Sequence, residues 1–137
     1  TFSQDSGIQE VFVDGSYING KTGYGAVIFS GDTNVKELSG SLSDTSTRQF
    51  GGELYSVIQV LKWCNENNVK KIRINYDYLG IEYFPTGKWQ PKNPLAVEYK
   101  QAVLSSGIEI LWRKIDSHTG NKKNDIADKL AKAGASF

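Results

Sequence analysis

Apolar and polar residues alternate along the first third of the chain, which is the pattern of β-strands with one face buried. Residues 10–16, 22–30 and 35–42 carry β-branched or aromatic side chains at alternating positions. Short segments containing Gly and Asn separate these runs, and short connections join antiparallel neighbours. The pattern therefore predicts three consecutive antiparallel strands at the start of the fold.

From residue 49 the apolar residues recur about every 3.6 positions instead of every second one, which predicts a helix over residues 49–67. Its apolar stripe consists of Leu54, Val57, Ile58 and Leu61. Residues 70–76 alternate again and predict a fourth strand. Because a strand–helix–strand unit forms a parallel crossover, we expect this strand to lie parallel to one of the first three.

The last part of the chain continues this mixture of helices and strands. The pattern predicts a short helix at 78–84, a helix at 95–105, a fifth strand at 108–115 and a final helix from 124 to the C terminus. The final helix has a face of small residues suited to close packing. This face consists of Ala127, Leu130, Ala131 and Gly134. Strands and helices thus alternate after residue 49, as in α/β proteins.

The composition is that of one globular domain. The chain has 137 residues, of which 39% are hydrophobic and 23% charged. We expect residues 1–9 to be a tail or linker and residues 10–137 to form the domain. No apolar run is long enough to span a membrane, and no signal peptide is visible, so we expect a monomeric, cytoplasmic protein with no membrane partner. The single cysteine, Cys64, precludes an internal disulfide.

Charge is distributed unevenly along the chain. Residues 1–59 contain three basic and seven acidic residues, whereas residues 60–137 contain thirteen basic and eight acidic ones. A basic half indicates a polyanionic partner such as a nucleic acid, although lysines scattered over a solvated surface give the same balance.

Four acidic residues stand where separate elements are expected to meet. Asp14 ends the first strand, and a parallel fourth strand would place Asp77 at the same edge of the sheet, where α/β proteins bind ligands. Glu53 follows Gly51-Gly52, a pair that disfavours a helix and suggests close backbone approach. Asp128 flanks the small-residue face of the final helix. Such a cluster repels itself unless cations bind it, and oxygen ligands favour Mg²⁺ or Mn²⁺.

Four motifs in order carry a resemblance to a known family. They are Asp-Gly-Ser after the first strand, Gly-Gly-Glu-Leu-Tyr-Ser-Val in the first helix, Tyr-Asp-Tyr after the fourth strand, and the terminal His-Thr-Gly-Asn-Lys-Lys-Asn-Asp-Ile-Ala-Asp-Lys-Leu-Ala. From about residue 11 to residue 134 the chain resembles type 1 ribonuclease H. The resemblance implies an α/β, ribonuclease H-like fold. Its mixed five-stranded sheet, with the first three strands antiparallel, has helices on both faces.

The resemblance also implies an activity and its metal ligands. The expected enzyme is an endonuclease that hydrolyses the RNA strand of RNA/DNA hybrids and leaves 5′-phosphate and 3′-hydroxyl ends. Its cofactors would be two Mg²⁺ ions, with Mn²⁺ as a substitute. Asp14 would bridge the ions, Asp128 would hold the ion on the water side, and Glu53 and Asp77 would hold the ion on the leaving-group side.

The resemblance also gives a role to His118 and distinguishes Asp128 from Asp125 in the terminal motif. His118 would assist catalysis by moving a proton or by helping product release. Asp128, and not Asp125, is the expected metal ligand, because it lies ten residues after His118 and directly before Lys129-Leu130-Ala131. Asp125 is instead expected to be a first-turn acid, with Asn124 as the helix cap.

Contacts with the hybrid are expected on two sides of the site. The RNA strand would be bound by Gly15, Ser16, Gln49 and the backbone around Gly52, with Gln49 near the position where the family usually has Asn. The DNA strand would be bound by Lys88, Trp89 and Lys92, with Trp89 stacking on a sugar or base. Trp89 is equally well interpreted as a core aromatic residue that anchors its loop.

Other functional classes fit less well. A proofreading-type exonuclease would carry Asp-X-Glu on the first strand, where this chain has Asp14-Gly15-Ser16. An integrase-like enzyme would have Glu on the final helix, and a non-catalytic nucleic-acid-binding module of the same fold would be expected to have lost carboxylates. A ribonuclease H domain excised from a reverse transcriptase or another multidomain protein remains an open alternative.

Overall fold

The computed structural model describes residues 8–43, 45–116 and 121–136. The strands are β1 (Gln9–Ile18), β2 (Lys21–Ser30), β3 (Thr33–Leu42), β4 (Lys71–Tyr76) and β5 (Glu109–Lys114). The helices are α1 (Arg48–Glu66), α2 (Gly80–Thr86), α3 (Pro94–Ser105) and α4 (Lys122–Ser136). The order and type of the predicted elements are confirmed. The division of the chain after residue 9 stays a prediction, since residues 1–7 lie outside the described part.

The first hairpin is tighter than the sequence pattern predicts. β1 and β2 continue to a two-residue turn formed by Asn19 and Gly20, whose φ angles are 51° and 80°. Asn-Gly with two positive φ angles is the turn whose twist matches paired antiparallel strands. The sequence pattern predicts the first two strands over residues 10–16 and 22–30, and both extend into the interval between them, so the connection is shorter than predicted.

The sheet is mixed, as expected. Its strand order is β3-β2-β1-β4-β5. β2 pairs antiparallel with both β1 and β3, whereas β4 pairs parallel with both β1 and β5. The parallel pairing of β1 with β4 ends at Phe12 and Asn75, and Asp14 and Asp77 follow just beyond it at the same edge of the parallel pair. Asp14 does not end β1 as predicted, because β1 continues to Ile18 in the hairpin with β2.

Helices pack on both faces of the sheet, because successive side chains of each strand point to opposite faces. Val11 and Val13 of β1 belong to the main core, which also contains the apolar stripe of α1. Phe12 points to the other face and packs near Ala127 of α4 in a second, smaller core. Within the described ranges no helix combines the length and apolar character required to cross a membrane.

Glycines let α1 approach the sheet closely at the edge that carries the acids. A Cβ atom at Gly15 would overlap the carbonyl oxygen of Gln49, and one at Gly52 would overlap the carbonyl oxygen of Gly23. The backbone approach expected from Gly51-Gly52 thus occurs at Gly52, and its partner is the sheet itself. This contact brings the start of α1, and with it Glu53, to the end of β1.

The cap of α4 differs from the prediction. The side chain of Asn121 accepts hydrogen bonds from the backbone N–H groups of Lys123 (3.0 Å) and Asn124 (3.1 Å). Asn124 is buried in the first turn of the helix. The prediction of Asn124 as the cap is wrong, because the helix begins two residues earlier than the apolar pattern indicates.

Candidate active site

A cleft of about 440 Å³ lies beside the carboxyl end of β4 and the middle of β1. Its lining includes the carboxylates of Asp14, Glu53, Asp77 and Asp128. The remaining lining residues are Gly15, Gln49, Phe50, Tyr78, Leu79 and Trp89. The structure therefore brings the four predicted carboxylates to one place from four separate elements or their ends.

Each of the four acids is placed in the cleft by the strand or helix that carries it. Asp14 lies in β1, and Asp77 directly follows the last residue of β4. Glu53 lies in the second turn of α1, beside the contact with Gly15. Asp128 is half-buried in α4 and lines the cleft, whereas Asp125 is exposed and does not. The helix register therefore favours Asp128 over Asp125, as the sequence motif does.

Glu53 is the most perturbed acid of the site. Its side chain is buried, with 6% of the residue exposed. Burial first, and then the negative charges of Asp14 and Asp77, together raise the pKa of Glu53 from 4.5 to about 9. Without a bound cation, Glu53 is therefore mostly protonated at neutral pH. A cation among these carboxylates would offset the repulsion from Asp14 and Asp77 and would favour the ionised form of Glu53.

Two of the other carboxylates pair with lysines. The Nζ atom of Lys132 lies 3.0 Å from Oδ2 of Asp128, one turn away on α4. The Nζ atom of Lys114 lies 3.4 Å from Oδ1 of Asp77. Asp14 accepts a hydrogen bond of 2.8 Å from the backbone N–H of Gly15. The negative charge of the cleft is thus partly compensated by side chains of the protein.

The donor set suits a hard divalent cation. Four carboxylates supply oxygen ligands, and a buried, proton-bearing Glu53 beside two acids is a site that a cation would stabilise. In the part of the chain that the structure describes, no three His, Cys, Asp or Glu side chains are arranged so that they could already hold a metal ion. The lysine pairs of Asp77 and Asp128 give a physical reason, since each draws its carboxylate toward an ammonium group. A metal ion at these carboxylates would therefore require their side chains to move closer together.

Only some of the residues predicted to contact nucleic acid lie together in the cleft. Gly15, Gln49 and Trp89 line the cleft. Ser16 lies next to Gly15 but does not line the cleft, and Gly52 is buried against the sheet, so the position of Gly52 does not support a contact with RNA. His118 lies outside the described residues.

The two lysines expected on the DNA side lie next to the cleft. Lys88 and Lys92 line an adjoining depression of about 420 Å³ that shares Trp89 with it. The Nζ atom of Lys88 lies 4.9 Å from the ring centroid of Tyr83, which is a cation–π distance. The depression therefore continues the cleft with a basic edge.

Trp89 combines both interpretations of its role. Its backbone N–H donates to the carbonyl of Tyr83 (3.0 Å), and its ring packs edge-on against Tyr83 and Phe84 at 5.4 and 5.7 Å. The residue is nevertheless 38% exposed and lines the cleft. Trp89 anchors its loop and leaves part of its ring exposed in the cleft, and its contact with a nucleic acid stays a prediction.

Sequence reasoning missed an aromatic pair on the cleft wall. Phe50 stacks on Tyr78 with ring centroids 4.4 Å apart and an angle of 26° between the rings. Phe50 is 45% exposed. It stands four residues before Leu54, so helical spacing alone would assign it to the core. It is exposed because the first turn of α1 extends past the packed region to the mouth of the cleft. We call Phe50 and Tyr78 the aromatic pair.

Comparison with known proteins gives consistent results over nearly the whole chain. The family model described as RNase H matches residues 7–136. The ribonuclease H of Neorickettsia sennetsu is 31% identical over 143 residues, covering 93% of each chain. The ribonuclease H of Actinobacillus pleuropneumoniae is 29% identical, covering 92% of this chain and 89% of that protein.

Solved structures share the fold at lower sequence identity. RNase H1 of Halobacterium salinarum superimposes with a TM-score of 0.78 at 20% identity, covering 93% of this chain and 97% of that one. LC11-RNase H1 in complex with an RNA/DNA hybrid gives a TM-score of 0.77 at 17% identity, covering 93% and 96%. Prototype foamy virus protease-reverse transcriptase matches all of this chain with 22% of its own, at a TM-score of 0.70 and 16% identity.

Proposed function

Because this chain belongs to the ribonuclease H family and is a type 1 ribonuclease H, we propose that it hydrolyses the RNA strand of RNA/DNA hybrids by a two-metal-ion mechanism. The products are 5′-phosphate and 3′-hydroxyl ends, and cleavage is endonucleolytic. The observation that carries this proposal is the arrival of four carboxylates from four elements in one cleft.

The four carboxylates hold the two metal ions in this proposal. Bound Mg²⁺, for which Mn²⁺ substitutes, supplies an activated water and a counter-charge for the leaving 3′-oxygen. Asp14 would contribute to both metal positions, Asp128 to the position on the water side, and Glu53 and Asp77 to the position on the leaving-group side. Glu53 must lose its proton to act as a ligand, so metal binding releases a proton near neutral pH. His118 moves a proton or assists product release.

The hybrid is held by residues around the cleft in this proposal. Gly15, Ser16 and Gln49 contact the RNA strand, whose 2′-hydroxyl groups distinguish it from DNA. Lys88, Lys92 and Trp89 contact the DNA strand through phosphate charge and stacking. Support comes from the shared position of Gly15, Gln49 and Trp89 on the cleft wall and from the basic depression beside it. The structural relative LC11-RNase H1 binds such a hybrid.

Two alternatives are a ribonuclease H module within a larger protein and a module of the same fold without catalytic activity. A ribonuclease H module of a reverse transcriptase would carry out the same reaction within a larger protein. A non-catalytic module would not need the full set of carboxylates, and all four are retained here. We therefore favour an active enzyme, and we propose that it works as a monomer in the cytoplasm.

Cleavage of a labelled hybrid tests the proposal directly. With Mg²⁺ we expect endonucleolytic cuts in the RNA strand of an RNA/DNA hybrid and none in double-stranded DNA or RNA of the same sequence. EDTA should abolish the cuts, and mapping of the product ends should give 5′-phosphates. Equal cleavage of double-stranded DNA and hybrid, or cleavage that persists in EDTA, would contradict the proposed function.

A further inference from the structure

Lys114 lies beside one of the four carboxylates at the end of β5. Its Nζ atom is 3.4 Å from Oδ1 of Asp77, 3.8 Å from Oδ1 of Asp116 and 3.0 Å from the carbonyl oxygen of Ile115. Three oxygens therefore surround the ammonium group, and one of them belongs to a proposed metal ligand.

The sheet itself holds Lys114 in this position. Lys114 pairs with Tyr76 in the parallel register of β4 and β5, and Asp77 is the next residue after Tyr76. The backbone N–H of Ile115 donates to the carbonyl of Tyr76 at 2.8 Å, directly beyond the pair. The base of the lysine side chain is thus fixed next to Asp77 by strand pairing, while its exposed end can move.

An ammonium group and a divalent cation compete for the same carboxylate oxygen. The cleft holds Asp14, Glu53, Asp77 and Asp128 close enough for Asp14 and Asp77 to raise the pKa of Glu53. The positive charge of Lys114 beside Asp77 lowers this repulsion when no metal is present. The same charge repels an incoming cation and competes with it for Oδ1 of Asp77.

We propose that Lys114 acts as a counter-cation of the cleft. Its ammonium group pairs with Asp77 in the metal-free protein, and a divalent ion displaces it. This inference rests on the metal-dependent function proposed above. Two effects follow: Lys114 stabilises the metal-free fold, and it raises the metal concentration at which the cleft fills.

The structure offers a matched control for a test. Lys71 pairs with Glu109 at 3.1 Å between the same two strands, at the end of β4 and β5 opposite the cleft. Lys71→Met removes a comparable exposed ion pair without touching the cleft. Lys114→Arg keeps the positive charge beside Asp77 and serves as the conservative variant.

The experiment measures binding of Mg²⁺ and of Mn²⁺ by isothermal titration calorimetry, without nucleic acid, together with thermal unfolding in EDTA and in saturating Mg²⁺. We expect Lys114→Met to bind the ions about three- to tenfold more tightly than the wild type, a range set by one partly screened charge near the site. Its melting temperature should fall in EDTA and match the wild type in saturating Mg²⁺. Lys71→Met should have wild-type metal affinity and the same melting shift in both conditions, and Lys114→Arg should resemble the wild type.

Three results would overturn the inference. Metal affinity of Lys114→Met equal to that of Lys71→Met would show that Lys114 does not compete. Weaker binding would show that Lys114 supports the metal site. In both cases metal binding by the wild type would leave the proposed function standing. If the wild type binds neither ion, the two-metal mechanism fails together with the inference.

Discussion

Asp14 and Asp77 stand the same number of residues beyond the last pair of the parallel strands β1 and β4. Phe12 is paired with Asn75 in the β1–β4 register, and each acid follows two residues later. The two carboxylates are thus placed by backbone pairing, and both raise the pKa of Glu53, which lies across from them on α1. Removing either charge should therefore affect both catalysis and stability.

Substitution of Asp14 tests this relationship. Asp14→Asn keeps the size of the side chain but removes one charge from the cleft, so we expect loss of hybrid cleavage and a metal-free protein that melts about 3–6 °C higher. Such a shift corresponds to about 1 kcal/mol in a domain of this length. Cleavage assays and thermal unfolding in EDTA measure the two effects.

The control for this substitution is Asp32→Asn. Asp32 lies in the exposed turn between β2 and β3 and pairs with Lys123, away from the cleft. This variant should cleave the hybrid at the wild-type rate and should not gain stability. Full activity of Asp14→Asn would contradict its role as a bridging ligand.

The two acids of α4 should differ sharply. Asp128 lines the cleft and Asp125 is exposed away from it, so Asp128→Asn should lower turnover about 100-fold or more while Asp125→Asn stays within about twofold of the wild type. Turnover at saturating hybrid measures both variants in parallel. The reverse ranking would show that Asp125 is the functional acid.

The pKa of Glu53 predicts how stability depends on pH. In the metal-free folded protein this pKa is raised to about 9 from an ordinary value of 4.5, so the folded state retains a proton that the unfolded state releases between these values. The free energy of unfolding should therefore fall as the pH rises from about 4.5 to 9, by at most about 1.4 kcal/mol per pH unit from this group. Urea unfolding in EDTA at several pH values measures the slope.

Two variants isolate the contribution of Glu53 to this slope. Glu53→Gln cannot ionise and should make stability less dependent on pH, with a gain over the wild type near pH 8. Glu66→Gln changes an exposed acid at the other end of the same helix and should keep the wild-type slope. An unchanged slope in Glu53→Gln would show that the carboxyl group is not perturbed.

The aromatic pair should contribute to substrate binding. Phe50 is largely exposed and stacks on Tyr78 beside the carboxylates, so its free face can contact a sugar or base of the hybrid. Because stacking on an aromatic side chain contributes about 1–3 kcal/mol per base, Phe50→Ala should weaken hybrid binding about 5- to 100-fold. Fluorescence anisotropy in EDTA measures binding without cleavage.

Leu104→Ala is a suitable control for Phe50→Ala. Leu104 is 64% exposed on α3 and does not line the cleft, so its removal should leave hybrid affinity unchanged. Phe50→Tyr keeps the ring and should bind as the wild type does. If Phe50→Ala binds the hybrid as tightly as Leu104→Ala, the aromatic pair has no part in recognition.

The sequence was sufficient to predict which backbone elements meet at the site. Alternation and helical spacing identified the strands and helices, and the parallel crossover fixed the common edge of Asp14 and Asp77. Side-chain relations between distant elements were not predictable in this way. The pairing of Lys114 with Asp77 depends on the register of β4 with β5, and the exposure of Phe50 depends on where α1 passes the edge of the packed core. Neither the ion pair nor the exposure of Phe50 produces a repeating pattern of apolar and polar residues in the sequence.

The distribution of the four acids has a consequence for synthesis of the protein. Asp14, Glu53 and Asp77 leave the ribosome long before Asp128, and α4 packs against β1 and β2, which are made first. A nascent chain that has already completed its sheet therefore still lacks one wall of the cleft. We expect a chain without this helix to show no nuclease activity, because Asp128 and the cleft wall that carries it are missing.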